Sequence, residues 1–107
     1  MLSKVKVVRD ALVPIGPKVY HYHADGPQGN YIVWAEDNQG EVIHGDGELE
    51  EQGIQGTIDY FTRDEYDETA DKIQDALIKA KIPFAITSIQ EEESTGYIHY
   101  EWVWEVV

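Results

Sequence analysis

The last eleven residues constrain the fold most. From Tyr97 to Val107 the chain alternates, with Ile98, Tyr100, Trp102, Trp104 and Val106 on one side and Tyr97, His99, Glu101, Val103 and Glu105 on the other. Successive side chains of a strand point to opposite faces, so this segment predicts one long strand with a core face and a mixed face. Trp102 and Trp104 are in phase with Ile98 and Val106, which points to core packing rather than a ligand platform. Such a strand needs neighbours in a sheet and a layer to cover its apolar face.

The cover is written between Thr62 and Pro83. Thr62 and Glu65 have the spacing of a capping box, in which each side chain satisfies a backbone N–H at a helix start. Asp64, Glu65, Asp67 and Glu68 would then sit at the positive end of the helix dipole, and Lys79 and Lys81 at the negative end. Tyr66, Ala70, Ile73, Leu77 and Ala80 form one apolar stripe. Glu68 with Lys72 and Asp75 with Lys79 make i,i+4 pairs worth ~0.3 kcal/mol each. Pro83 ends the helix.

Other segments supply the partner strands. Lys18 to Ala24 reads as a strand, Asp25 to Asn30 as a turn, and Tyr31 to Glu36 as a strand that pairs with the first as a hairpin. Asp37 to Gly40 reads as a turn and Glu41 to His44 as a short strand. Gly45 to Gly56, with four glycines and few apolar anchors, reads as a mobile loop or a loosely held hairpin. Thr57 to Thr62 and Phe84 to Ile89 are strands, and Glu91 to Gly96 is an acidic turn. Leu2, Val5, Val8 and Leu12 have mostly helical spacing with Ser3 as a cap, although Val5 and Val7 also alternate as in a strand. Pro14, Gly16 and Pro17 close that segment. The sum is an α+β domain: a mostly antiparallel, or mixed, sheet of about five strands, one main helix across it and a short N-terminal helix.

Charge narrows the partners. The 107 residues hold 21 acids and 8 bases, a formal charge of −13. That balance opposes docking on nucleic acid or anionic lipid, and favours a basic partner or a surface that repels polyanions. With no cysteine, thiol nucleophiles, disulfides and Cys-based zinc sites are excluded, and a reducing cytoplasm fits. The first residues, with Lys4, Lys6, Arg9 and Asp10 among apolar ones, do not read as a signal peptide, and no segment reads as membrane-spanning.

The chemistry-bearing residues are few. His21 and His23 share one strand face in the pattern metal sites use, and His44, His99, Asp46 or Glu101 could complete a site. Against this stands a solvated strand face with four scattered histidines. Gly45, Gly47, Gly53 and Gly56 lack the helix and Lys of a phosphate loop, and Ser3, Ser88 and Ser94 lack a nucleophile context. Trp34, out of phase with Tyr31 and Val33, is a candidate interface residue. A small metal-dependent enzyme built on His21 and His23, and an acidic monomeric inhibitor that mimics DNA, are the alternatives to a structural role.

The order of segments carries a resemblance: VYHYHADGPQGNYIVWAED (Val19 to Asp37), GTIDYFTRDEYDETADKIQDAL (Gly56 to Leu77), an acidic turn, and TGYIHYEWVWEV (Thr95 to Val106). This order resembles the small tail terminator, tail completion and head–tail joining proteins of long-tailed phages and prophages, over nearly the whole chain. The resemblance implies a homo-oligomeric ring, typically a hexamer, that stacks on the tail tube protein and faces the head connector protein. It implies assembly in a bacterial cytoplasm followed by residence in the virion tail, with no catalytic residue, cofactor or metal. Trp34, Glu48, Glu50, Glu51, Tyr97 and His99 are the interface candidates under that reading.

Overall fold

The computed structural model describes residues 2–26, 29–45 and 48–107, with the side chains of residues 2, 38–45 and 48–52 outside that description. The order of elements is a 3-10 turn at Leu2–Val5, α1 (Lys6–Leu12), a second 3-10 turn at Val13–Ile15, β1 (Lys18–His21), β2 (Tyr31–Gly45), β3 (Glu48–Thr62), α2 (Thr69–Lys79), β4 (Phe84–Glu92) and β5 (Tyr97–Val106). Among the described residues the strands form one sheet in the order β1-β2-β3-β5-β4, and all pairs but β1–β2 are antiparallel. The α+β class, the main helix and the short N-terminal helix are as expected from the sequence. No helix among the described residues is long and apolar enough to cross a membrane.

The first two strands depart from the expected hairpin. Lys18 lies opposite Tyr31 and His21 opposite Trp34, so β1 and β2 run parallel. Parallel neighbours usually need a crossover of a dozen or more residues. Here β1 is four residues long, about 13 Å, so the short 22–30 connection can carry the chain back. Tyr22, at φ 75°, turns the chain out of β1 while its N–H donates to the Trp34 carbonyl at 2.8 Å.

A second correction concerns Asp37 to Gly40, expected as a turn. β2 runs straight through it to Gly45, with register slips between Glu36 and Asn38 and between Gln39 and Val42. The turn-forming residues are absorbed as irregularities in a long antiparallel ladder, as bulges allow. Likewise Glu48 to Gly56 is strand. Its backbone is paired with β2, and from Ile54 onward with β5 as well, so ladder pairing rather than apolar content decides its state. Residues 46–47, the tip of that expected loop, lie outside the described residues. The outcome is a two-stranded arm that runs past the end of β5 and contributes to an extent of 50 × 26 × 25 Å.

Both helices lie on one face of the sheet. Val8, Leu12, Ile73 and Leu77 meet Ile32, Trp34, Ile58, Tyr60, Trp102 and Trp104 in a continuous core. Trp34 is therefore a core residue, 4% exposed, with its ring 6.4 Å from that of Trp104. Ile32 and Trp34 face the helices, while Tyr31 and Val33 face the other way, the reverse of the phase expected from composition. Trp102 Nε1 donates to Gln74 on α2 at 3.0 Å, and Trp104 Nε1 to the Thr57 carbonyl at 2.9 Å. Gly56 leaves the room for that second indole, since a Cβ there would overlap the Trp104 ring and the Ala35 carbonyl.

The helix start is also corrected. α2 begins at Thr69, not after Thr62, and Tyr66 is 90% exposed at φ 61°, so it is no part of the stripe. Thr62 is fully buried at the end of β3, where its hydroxyl donates to Asp67 Oδ2 at 2.7 Å and accepts from the Asp64 N–H at 3.0 Å. Asp67 Oδ1 then accepts from the Thr69 N–H at 2.8 Å. The capping carboxylate is Asp67, and Thr62 holds it. Ser3 plays no such part, because α1 opens from Val5 without a side-chain cap.

Candidate functional site

The face of the sheet away from the helices has no second layer among the described residues. β3 shows why it differs from the core face: Ile58, Tyr60 and Thr62 point to the helices, so Asp59 and Phe61 point away. Tyr31, Phe61 and His99, contributed by three adjacent strands, stack in a row with ring centroids 4.6 and 4.3 Å apart. Tyr20 meets one end of the row edge-on at 6.1 Å. Tyr97 stands perpendicular to Tyr31 and Phe61, at 5.7 and 6.1 Å. The Arg63 guanidinium lies 4.1 Å from the Tyr97 ring centroid. Ring contacts of these kinds add of order 1 kcal/mol each beyond area burial.

Beside the row is an open concavity of about 550 Å³ lined by Tyr31, Val33, Asp59, Phe61, His99 and the 22–24 segment. Asp59 Oδ1 lies 2.7 Å from His99 Nε2. Burial pushes the Asp59 carboxyl above its ordinary range, and the hydrogen bond to His99 opposes that rise. His99 Nδ1 lies 3.8 Å from Glu92. The imidazole is thus held between two carboxylates and stacked on Phe61, which orients it as a fixed contact group.

The other candidates are dispersed. His21 lies on the helix side of the sheet edge, stacked between Trp34 and Tyr22 at 3.9 and 3.8 Å, with Nε2 2.5 Å from Glu36 Oε1. Partial burial acts to raise the Glu36 pKa, but hydrogen bonds from its own backbone, His21 and Tyr22 outweigh it and hold the carboxyl below its ordinary value. His23 is exposed and 3.5 Å from Asp25. His21 and His23 therefore face separate carboxylates. Among the described residues no group of three His, Cys, Asp or Glu side chains is placed to hold a metal. Glu101 is engaged by the Thr87 hydroxyl at 2.8 Å, and the side chains of His44, Asp46, Glu48, Glu50 and Glu51 lie outside the described residues.

Of the expected interface residues, His99 and Tyr97 do lie on the uncovered face. Tyr97 is only 7% exposed and spends its hydroxyl on the Gly29 carbonyl at 2.9 Å. Trp34 is on the opposite face, inside the core. Sequence reasoning missed Tyr31, Asp59 and Phe61, although the alternation of TIDYFT sets Asp59 and Phe61 opposite Ile58 and Tyr60. It also missed that Asp10 and Ala11 of α1 meet Ala76 and Lys79 of α2 on the helix layer. The surface offers aromatic area and fixed hydrogen-bonding groups. Comparison of the sequence with protein families and with curated proteins finds no match to either.

Proposed function

We propose that the chain is a structural assembly protein that acts as a homo-oligomeric ring on a phage or prophage tail tube, capping the tube and joining it to the head connector. The β2–β3 arm carries this reading. Residues 48–53 pair with β2 alone, and β1 covers only Tyr31 to Trp34 of the other edge of β2. A two-stranded ribbon is marginal in water by itself, and unpaired strand edges accept another chain. An arm of this kind gains cover when a neighbouring subunit receives it. The formal charge of −13 suits a ring whose lumen must let DNA pass without holding it. The order of segments noted above favours the end of a tail over other ring assemblies.

The test mixes the purified chain with assembled tail tubes and follows the mixture by electron microscopy and sedimentation. Rings at tube ends and arrested elongation are expected. Tubes that elongate unchanged, with the chain left in the supernatant as a monomer, overturn the reading.

A further inference from the structure

β4 closes one side of the sheet, and among the described residues no strand lies outside it. An outer strand presents unpaired N–H and C=O groups to another chain. The opposite outer strand, β1, is four residues long and opens with exposed Lys18, two features that blunt an edge. β4 has nine residues, and Phe84 to Gln90 carry no charge in a chain of formal charge −13. Its charges, Glu91 and Glu92, sit at the far end, while the nearest charge before it is Lys81. Ile86 and Ile89 are 44% and 60% exposed.

The register explains why both isoleucines point the same way. Ile86 lies opposite Trp102 and Ile89 opposite Tyr100, and both of those rings face the helices. A slip between Ile86 and Ser88 supplies an extra residue. Without it, positions three apart would point to opposite faces. The slip also gives β4 a two-fold pattern. Turned end for end about the point between Thr87 and Ser88, Ile86 exchanges with Ile89, Ala85 with Gln90 and Phe84 with Glu91. Each exchanged pair keeps its face, because Ala85 and Gln90 lie opposite Val103 and His99, and Phe84 and Glu91 opposite Trp104 and Ile98.

We infer that β4 pairs antiparallel with β4 of a second copy about this two-fold, joining two five-stranded sheets into one. Ile86 of each copy then lies opposite Ile89 of the other, and apolar cross-strand pairs of this kind stabilise a sheet. No acid faces an acid: Glu91 falls opposite Phe84 and Glu92 opposite Pro83, with Lys81 the nearest charge beyond. The contact is isologous, since the same strand serves on both sides. It goes beyond the ring reading and does not rest on it. A single strand pair is a small contact, below the ~1,200 Å² of most stable complexes, so a trapping assay suits it.

Cysteine trapping in the full chain tests this, because the native sequence has no thiol of its own. Residues directly opposite in an antiparallel pair have Cα atoms about 4.5–5.5 Å apart, within disulfide reach. Ile86→Cys chains mixed with Ile89→Cys chains under mild oxidation therefore give a mixed disulfide dimer. Two Ile86→Cys chains hold their thiols three residues out of register, about 11 Å apart, and cross-link at least about tenfold more slowly. Two Ile89→Cys chains behave the same way. Sedimentation of the native chain over a concentration series shows a monomer–dimer equilibrium. Ile86→Lys shifts it at least about tenfold toward monomer without changing the urea midpoint. Ile86→Lys with Ile89→Glu in one chain sets opposite charges across the two-fold and recovers the dimer. Equal cross-linking of mixed and like pairs, or none in any, overturns the contact. Preferential mixed dimers with tail tubes that elongate unchanged leave this contact standing and overturn the ring. Capped tubes without preferential cross-linking do the reverse.

Discussion

The Tyr60 hydroxyl donates to Asp67 Oδ2 at 2.5 Å, tying the middle of the sheet to the turn that opens α2. Partial burial acts to raise the Asp67 pKa, but hydrogen bonds from Tyr60, Thr62 and Thr69 outweigh it and hold the carboxyl at about 2. On the other side of the same bond, burial first and Asp67 second push the Tyr60 phenol up to about 12. An unfolded aspartate titrates near ~3.9. A folded pKa below the unfolded one stabilises above the unfolded value, and the contribution is lost as pH falls through the folded value. Asp67 therefore stabilises the domain above about pH 4 and ceases to do so as pH falls toward about 2. Asp67→Asn should cost about 1–2 kcal/mol at pH 7 and flatten the acid limb of stability between those values. Urea midpoints across pH 2 to 7 check it, and an acid limb identical to that of the native chain would refute the assignment.

Thr62 and Glu65 separate two accounts of the helix start. Thr62→Ala removes a buried hydroxyl that donates to Asp67 and accepts from the Asp64 N–H, and should cost about 1–2 kcal/mol. Glu65→Ala should change the midpoint by less than ~0.5 kcal/mol, because α2 starts four residues later. Equal losses in the two variants would restore the capping box.

Gly56→Ala should be among the most damaging small substitutions. The added carbon meets the Ala35 carbonyl and the Trp104 ring, and backbone cannot yield as a side-chain tip can. A loss of about 3 kcal/mol is expected, with a shift in tryptophan emission as the Trp104 indole is displaced. A soluble variant with native emission and midpoint would mean that the strands re-space at no cost.

Trp34 and His21 stack on each other yet should behave differently. Trp34→Ala leaves a cavity beside Trp104 and should cost about 3–5 kcal/mol. His21→Ala removes an exposed ring from the edge of the sheet and should cost less than about 1 kcal/mol. With His23→Ala added, zinc should alter neither midpoint nor assembly. Recovery of a lost property on adding zinc would revive the metal reading.

How much of this was legible can be argued residue by residue. The β5 alternation set out the whole of one interior strand, because period-two burial is a local property of sequence. The buried faces of Ile58 and Tyr60, and of Ile73 and Leu77, were readable for the same reason. The partner of β1 was readable but its direction was not, because pairing direction depends on where the 22–30 connection leads. Trp34 was assigned to the wrong face because Tyr31, Val33 and Trp34 are all compatible with a core, and only the position of the helices chooses between them. The arm was hidden because backbone pairing forms its ladder whether or not its side chains are apolar. The uncovered face became visible only when three strands set Tyr31, Phe61 and His99 side by side.

The strand order also bears on how the chain acquires its structure during synthesis. β5 lies between β3 and β4, so an interior strand is the last of the five to be made. Until Trp102, Trp104 and Val106 have cleared the ribosome, β3 has an open inner edge and the helices have only half a core to rest on. Domains fold as units while they emerge, but here the unit is incomplete until its C-terminal strand is available. The nascent chain must therefore keep its hairpin from pairing with others while it waits, a task for which closely spaced carboxylates along residues 36–51 are well suited.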